Sequence, residues 1–319
     1  MKTFRLLLVA AVLAPLTGCE WIKNHVGKGD DKDRPTGPLP KAQPDQFVTY
    51  LNERSARMQS LNYGDVRLTA SDHSVPLPPL RGSLAASQPR NFRMTGTGGP
   101  VGAKVDLGSN GEQFWVYVDA PTMKPKFVFA SHSDFESGKA KLPDGIAFEP
   151  DWVMQALGMT MLQPNNQYSV KIDDTKRTYT LSWPSTTPNG MSVVKQIVFD
   201  GDAATGTKPQ VKKHLILDTK GKLICSAEIK QAKTVTLAPT GQPLPAGSPP
   251  ASAQAPMVVQ HPTLMVLRWE EQKFEMELEL KTGKVNDPLT EEATRRLFTR
   301  PNIPGATPID LAGGVFPLK

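Results

Sequence analysis

The residues that could centre a reaction or a metal are few and scattered. Five histidines, His25, His73, His132, His214 and His261, stand well apart, and none forms the helical His-x-x-x-His pair that holds a metal. Ser131-His132-Ser133-Asp134 brings triad residue types together. Neighbours on a strand or turn point in different directions, so the run is not a triad by itself. Gly96–Gly102 (GTGGPVG) is glycine-rich but misses the dinucleotide spacing and precedes a strand, which reads as a turn. Asp30–Asp33 lacks the spacing and closing glutamate of a calcium loop. No nucleophile elbow, phosphate loop or paired-cysteine site is present. The expectation is therefore a non-enzyme with no cofactor and no bound metal. A hydrolase assembled from distant residues is the alternative.

Chemistry of another kind is written at the start of the chain. Lys2 and Arg5 precede an unbroken apolar run, Leu6–Leu13, and Leu16-Thr17-Gly18-Cys19 closes it. The run is too short to span a bilayer, so it reads as an export signal. Its ending resembles the lipobox of bacterial lipoproteins. That resemblance implies that Cys19 takes a diacylglyceryl group and becomes the first residue of a lipid-anchored protein at the cell envelope, facing the periplasm or the cell surface. Two or more acyl chains suffice for lasting attachment. An ordinary cleaved signal with a chance cysteine is the alternative. Cys225, left without a second cysteine, reads as a buried small hydrophobe in an alternating stretch.

The formal charge of +6 falls to near +4 once Lys2 and Arg5 leave with the signal, and no long basic block occurs, so nucleic acid is not an expected partner. A monomer is expected.

The elements that must position any site follow in order. Residues 1–18 are the signal and 19–45 a charged, proline-rich tether. Phe47–Leu61 has helical spacing at Phe47, Val48, Leu51, Met58 and Leu61, with Glu53, Arg54 and Arg57 between them and Asp45 as a cap. Strands are expected over Leu80–Ser87, Arg90–Thr95, Ala103–Leu107, Gln113–Val118 and Lys126–Ala130, with Asn110-Gly111 as a hairpin turn. Pro150–Met159 reads as an unusually apolar helix, either packed on a sheet or lying as a lid over a greasy site. Further hairpins run through Tyr168–Ile172, Thr178–Trp183, Ser192–Phe199, Lys212–Leu217 and Leu223–Gln231. No Asp, Glu, Lys or Arg occurs from Thr234 to Leu267, and 238–262 reads as a Pro-rich insertion, flexible or docking a partner. Thr263–Trp269 and Lys273–Leu280 are the last strands. In the second, Phe274, Met276, Leu278 and Leu280 alternate with Glu275, Glu277 and Glu279, giving one buried and one solvated face. A short helix at Leu289–Phe298 closes a domain of 46–298, and 299–319 is left as a tail.

Three stretches resemble the periplasmic lipoprotein carriers, the Lol family. They are Gly82-Ser83-Leu84 with Pro89-Arg90-Asn91-Phe92-Arg93-Met94, then Asn110-Gly111-Glu112-Gln113-Phe114-Trp115-Val116-Tyr117, and Leu217-Asp218-Thr219-Lys220-Gly221-Lys222-Leu223-Ile224. The resemblance implies an α+β fold: a curved antiparallel sheet, an incomplete LolA/LolB-like β-barrel, wrapping short helices around an apolar hollow. It also implies an acyl chain or lipoprotein as cargo. A packed core serving a protein partner is the competing reading. Every second residue of a strand shares a face. The aromatic-rich faces are the candidate lining: Phe92 and Met94, Trp115 and Tyr117, Tyr179, Leu181 and Trp183, and Met265, Leu267 and Trp269. Trp152 and Met154 would close the hollow.

Overall fold

Short connections between alternating strands make neighbours in sequence neighbours in space, and the sheet follows that rule along most of its length. The computed structural model describes residues 37–72, 75–76, 78–98, 102–120, 123–140, 151–164, 166–187, 190–202, 210–239 and 255–313. The lipobox, Asp30–Asp33, His25 and His73 lie outside them. The chain divides into Met1–Pro38 and Leu39–Lys319; of the first, Gly37 and Pro38 are described, both exposed.

In the second unit, the first half of the sheet is β1 (Ser60–Asp72), β2 (Val75–Pro76), β3 (Leu80–Ser87), β4 (Asn91–Gly98), β5 (Ala103–Ser109), β6 (Gln113–Ala120) and β7 (Met123–Ser131). The second half is β8 (Ser169–Asp173), β9 (Thr178–Thr186), β10 (Ser192–Asp200), β11 (Gln210–Asp218), β12 (Leu223–Leu237), β13 (Met257–Trp269) and β14 (Phe274–Val285). Strand β1 joins the halves by pairing antiparallel with β14, Leu68 opposite Leu278. With β15 (Ile309–Asp310) at one edge, the order is β15-β7-β6-β5-β4-β3-β1-β14-β13-β12-β11-β10-β9-β8, with β2 beside β1. The end strands do not pair with each other, so the barrel is incomplete. One apolar cluster draws on β1, β3, β4 and β9–β14 together with two helices, α1 (Pro44–Arg57) and α3 (Trp152–Ala156), which the sheet therefore wraps. The expected α+β architecture is the observed one. The glutamate row also lies as expected: Met276, Leu278 and Leu280 are buried and Glu277 is exposed.

Helix α1 begins at Pro44 and not at Phe47, because Pro44 supplies a preset φ in the first turn and the Gln43 N–H donates to Gln46 Oε1 at 2.9 Å. Asp45 sits inside the first turn and does not cap. Leu61 belongs to β1. The tether also ends sooner than expected. Leu39 is buried, its N–H donates to Asp174 Oδ1 at 2.7 Å, and the Pro40 carbonyl accepts from Tyr179 Oη at 2.9 Å. Helix α3 is shorter than the apolar stretch predicted; Gly158, at φ +81°, takes the left-handed conformation that ends it. At the β5–β6 turn, Asn110 Oδ1 accepts from the N–H groups of Glu112 (2.9 Å) and Gln113 (3.0 Å), which fixes the hairpin.

Two boundaries are corrected. After helix α4 (Glu291–Leu297) the predicted tail folds back: β15 (Ile309–Asp310) pairs parallel with β7, and Leu311 is buried beside Phe114, Ala130 and Phe135. The Pro-rich stretch is strand from Met257 onward, paired with β12 as far as Leu237 opposite Met257. Residues 240–254 lie outside the described residues. Their composition cannot bury a face, and halving a loop changes its closure entropy by only about 0.6 kcal/mol. Deleting 240–254 while keeping Ala255, whose carbonyl accepts from Arg57 Nη1, is expected to leave the thermal midpoint within a few degrees. A large fall in the melting curve would show that the segment is packed.

Candidate functional site

Pairing register decides which side chains meet inside the sheet. Phe92 and Met94 of β4 face the interior, and cross-strand partners share a face, so Ser109 and Leu107 of β5 and Phe114 and Val116 of β6 lie on that side too. Trp115 and Tyr117 are thereby on the opposite, outer face. There they pack with Phe127, Phe129, Ile303 and Ala306. This corrects their placement in the lining. Strand β6 is apolar on both faces (Phe114-Trp115-Val116-Tyr117-Val118), and its more aromatic face is covered by the C-terminal segment.

The other ten predicted lining residues do converge. Phe92, Met94, Trp152, Met154, Tyr179, Leu181, Trp183, Met265, Leu267 and Trp269 belong to one buried cluster. Trp152 meets Trp269 edge-on, ring centroids 5.6 Å apart, and Phe47 of α1 packs on Tyr179 (5.4 Å) and Phe199 (4.7 Å). Among the described residues these side chains pack against one another. A void beside Arg54 has a volume of about 10 Å³, room for roughly one water.

Much of this packing comes from one short segment. Trp152, Val153, Met154, Ala156, Leu157, Met159 and Leu162 are all buried. Polar ties hold this segment: Asn52 of α1 donates through Nδ2 to the Leu162 carbonyl (3.1 Å) and accepts from its N–H (2.7 Å). Gln88 Nε2 donates to the carbonyls of Met159 (3.0 Å) and Ser55 (2.7 Å), and Arg90 pairs with Asp151 at 3.3 Å.

Buried polar groups beside this segment were missed. Arg54 is 2 % exposed, and its Nε and Nη2 have no hydrogen-bond partner among the described residues. Burial pushes its pKa down. A Cβ on Gly158 would stand 2.6 Å from Arg54 Nη2, so the guanidinium lies directly against the end of α3. Burial, and then the Arg54 charge, push the pKa of His214 down to about 3. The same two causes, with Lys233 after them, bring His261 to about 3. His214 Nδ1, both His261 nitrogens and Tyr63 Oη are likewise unpartnered among the described residues. Burial raises Tyr63 to about 12, and its ring stacks on His261 at 5.9 Å. The signal for Arg54 was present: it falls seven residues after Phe47 and three after Leu51, on the apolar face of α1.

Ser131-His132-Ser133-Asp134 serves structure. Ser131 Oγ caps the short helix α2 (His132–Glu136) by accepting from the Asp134 N–H at 3.0 Å, and it donates to Asp134 Oδ2 at 2.7 Å. His132 Nε2 is turned to the Asn110 carbonyl at 2.8 Å. No group of three or more His, Cys, Asp or Glu among the described residues is placed to hold a metal. Cys225 is buried in the core, as expected.

No family model matches the chain, and no curated protein matches it significantly. Solved structures similar to it include a domain described as outer membrane lipoprotein-sorting, from Vibrio parahaemolyticus (11 % identity, 80 % of this chain and 98 % of that one, TM-score 0.47). A LolA superfamily protein from Nitrosomonas europaea is similar over 82 % of this chain and 99 % of its own (11 % identity, TM-score 0.44). A DUF1329 family protein from Desulfovibrio piger is similar over 78 % and 96 % (9 % identity, TM-score 0.37). All three TM-scores lie below one half, so what the chain does has to be read from its own residues. Those residues build an open, mostly antiparallel sheet wrapped, among the described residues, on two helices.

Proposed function

We propose that the chain is an envelope lipoprotein, tethered through acylated Cys19, whose half-barrel takes up acyl chains from lipid or lipoprotein. The observation that carries this reading is the make-up of the interior. Aromatic and Met side chains of β4, β9 and β13 form one apolar face, and the space before it is filled by a five-residue helix and its flanks. Moving that segment aside would expose an apolar surface without breaking any strand pairing. An acyl chain in its place gains roughly 0.8 kcal/mol per buried methylene, so no catalytic group is needed.

Two measurements test the two halves of the reading. Cys19→Ser is expected to shift the protein from the membrane to the soluble fraction; retention as firm as wild type removes the anchor. The soluble Cys19→Ser protein is then expected to bind a fluorescent long-chain alcohol saturably, and Met154→Ala to change that affinity severalfold while the circular dichroism spectrum of the folded chain is kept. A second reading rests on the packing of these side chains: a scaffold lipoprotein with a packed core and a protein partner. Absence of saturable probe binding favours it.

A further inference from the structure

Arg54 is a buried cation with no carboxylate to balance it among the described residues. The group whose charge acts on it is Tyr50, a phenol that is neutral at ordinary pH, and the two histidines near it are neutral bases. Lys233, above the Tyr63 ring at 5.2 Å, adds positive and not negative charge to this part of the core. Buried guanidinium groups in folded proteins are paired, because an uncompensated buried charge is strongly destabilising. The unpartnered atoms are also the informative ones. Nε and Nη2 form one edge of the guanidinium, the two-pronged edge that receives a carboxylate. Beside Arg54 lies the void of about 10 Å³, lined among others by Gln155, Thr160 and His214. It admits one small ion or one oxygen of a larger group.

We propose that this void is an anion seat, in which Arg54 receives a single negative charge on its Nε/Nη2 edge between α1, the end of α3 and β11. The chemistry is that of a monovalent anion, and two sources supply it: a free halide, or the carboxylate head of a fatty acid. The second source rests on the acyl-chain reading above; the first does not. His214, whose Nδ1 is free of partners among the described residues, is the neutral donor beside the seat. Gly158 is required there because a side chain would displace the guanidinium.

The test uses the soluble Cys19→Ser full chain in halide-free buffer at fixed ionic strength. Adding chloride is expected to raise the melting temperature of that chain. The same addition is expected to have no effect on a chain that also carries Arg54→Met, which should melt no lower than its parent in the absence of anion. In displacement of the fluorescent probe, hexadecanoate is expected to bind about tenfold more tightly than hexadecanol, a preference lost in Arg54→Met. A chloride effect without the carboxylate preference assigns the seat to the free halide; the preference without the chloride effect assigns it to the lipid head. Neither effect, or either one persisting in Arg54→Met, overturns the seat. In that case hexadecanol binding still stands as the test of the acyl-chain reading, so the two fail separately. Should Arg54→Met not fold, Arg54→Lys keeps the charge and loses the two-pronged edge, and loss of the carboxylate preference is the expected result.

Discussion

Between pH 6 and pH 4 the protein is expected to lose about 5 kcal/mol of stability. His214 and His261 titrate at about 3 in the folded chain and near 6.5 when unfolded. Between those values the unfolded chain binds protons that the native one does not. Stability is therefore full above about pH 6.5 and falls as the pH is lowered, by about 1.4 kcal/mol per pH unit for each histidine. Two such groups give about 2.7 kcal/mol per unit, against a total stability of roughly 5–15 kcal/mol. Denaturant midpoints at pH 7, 6, 5 and 4 measure the slope. His261→Phe keeps a ring against Tyr63 and is expected to remove about half of it. Should the slope in both His261→Phe and His214→Asn equal that of the wild type, the buried histidines are not its source.

The parts of the fold legible in the sequence are those with local causes. Strand β3 occupies Leu80–Ser87 as predicted, the Asn110 turn is made by its own side chain, and the alternation of β14 places its glutamates outward. Where the cause is long-range, the sequence is silent. The five apolar residues of β6 alternate between two buried faces, and which face looks inward depends on the register of β4 and β5 and on a C-terminal segment far away in sequence. That segment looks like a tail because its pairing strand has only two residues. The candidate site was half visible for the same reason. Apolar side chains announce a buried face by period, whereas nothing in the sequence says whether that face encloses a hollow or a helix. A charged residue in an apolar stripe, Arg54, is readily assigned to water until its surroundings are seen to exclude it.

Trp115→Ala is expected to destabilise the protein by about 3–5 kcal/mol, the range for removing a buried large aromatic side chain, and to leave acyl-probe binding unchanged. Trp115 is 1 % exposed. Its ring lies across Gly108, where a Cβ would come within 2.0 Å of the indole, so a glycine is needed opposite it. Its Nε1 donates to Asp106 Oδ1 at 3.0 Å, and Asp106 also accepts from Arg93 at 2.7 Å. Arg93 in turn donates to the Leu297 carbonyl at 3.0 Å. Arg300 covers the neighbouring Phe129 ring at 3.7 Å, and Ile303 and Ala306 complete the layer. The indole is thus the base on which the chain beyond α4 rests. Its removal leaves Asp106 short of a donor and that segment short of a floor. Limited proteolysis of the variant is therefore expected to cut first between 299 and 308. Trp269→Ala, on the inner face against Trp152, is expected to cost a similar amount and to change probe binding as well. The opposite pattern, weaker probe binding in Trp115→Ala with stability and protease resistance intact, would place the ligand on the outer face and reverse the assignment of the two sides of the sheet.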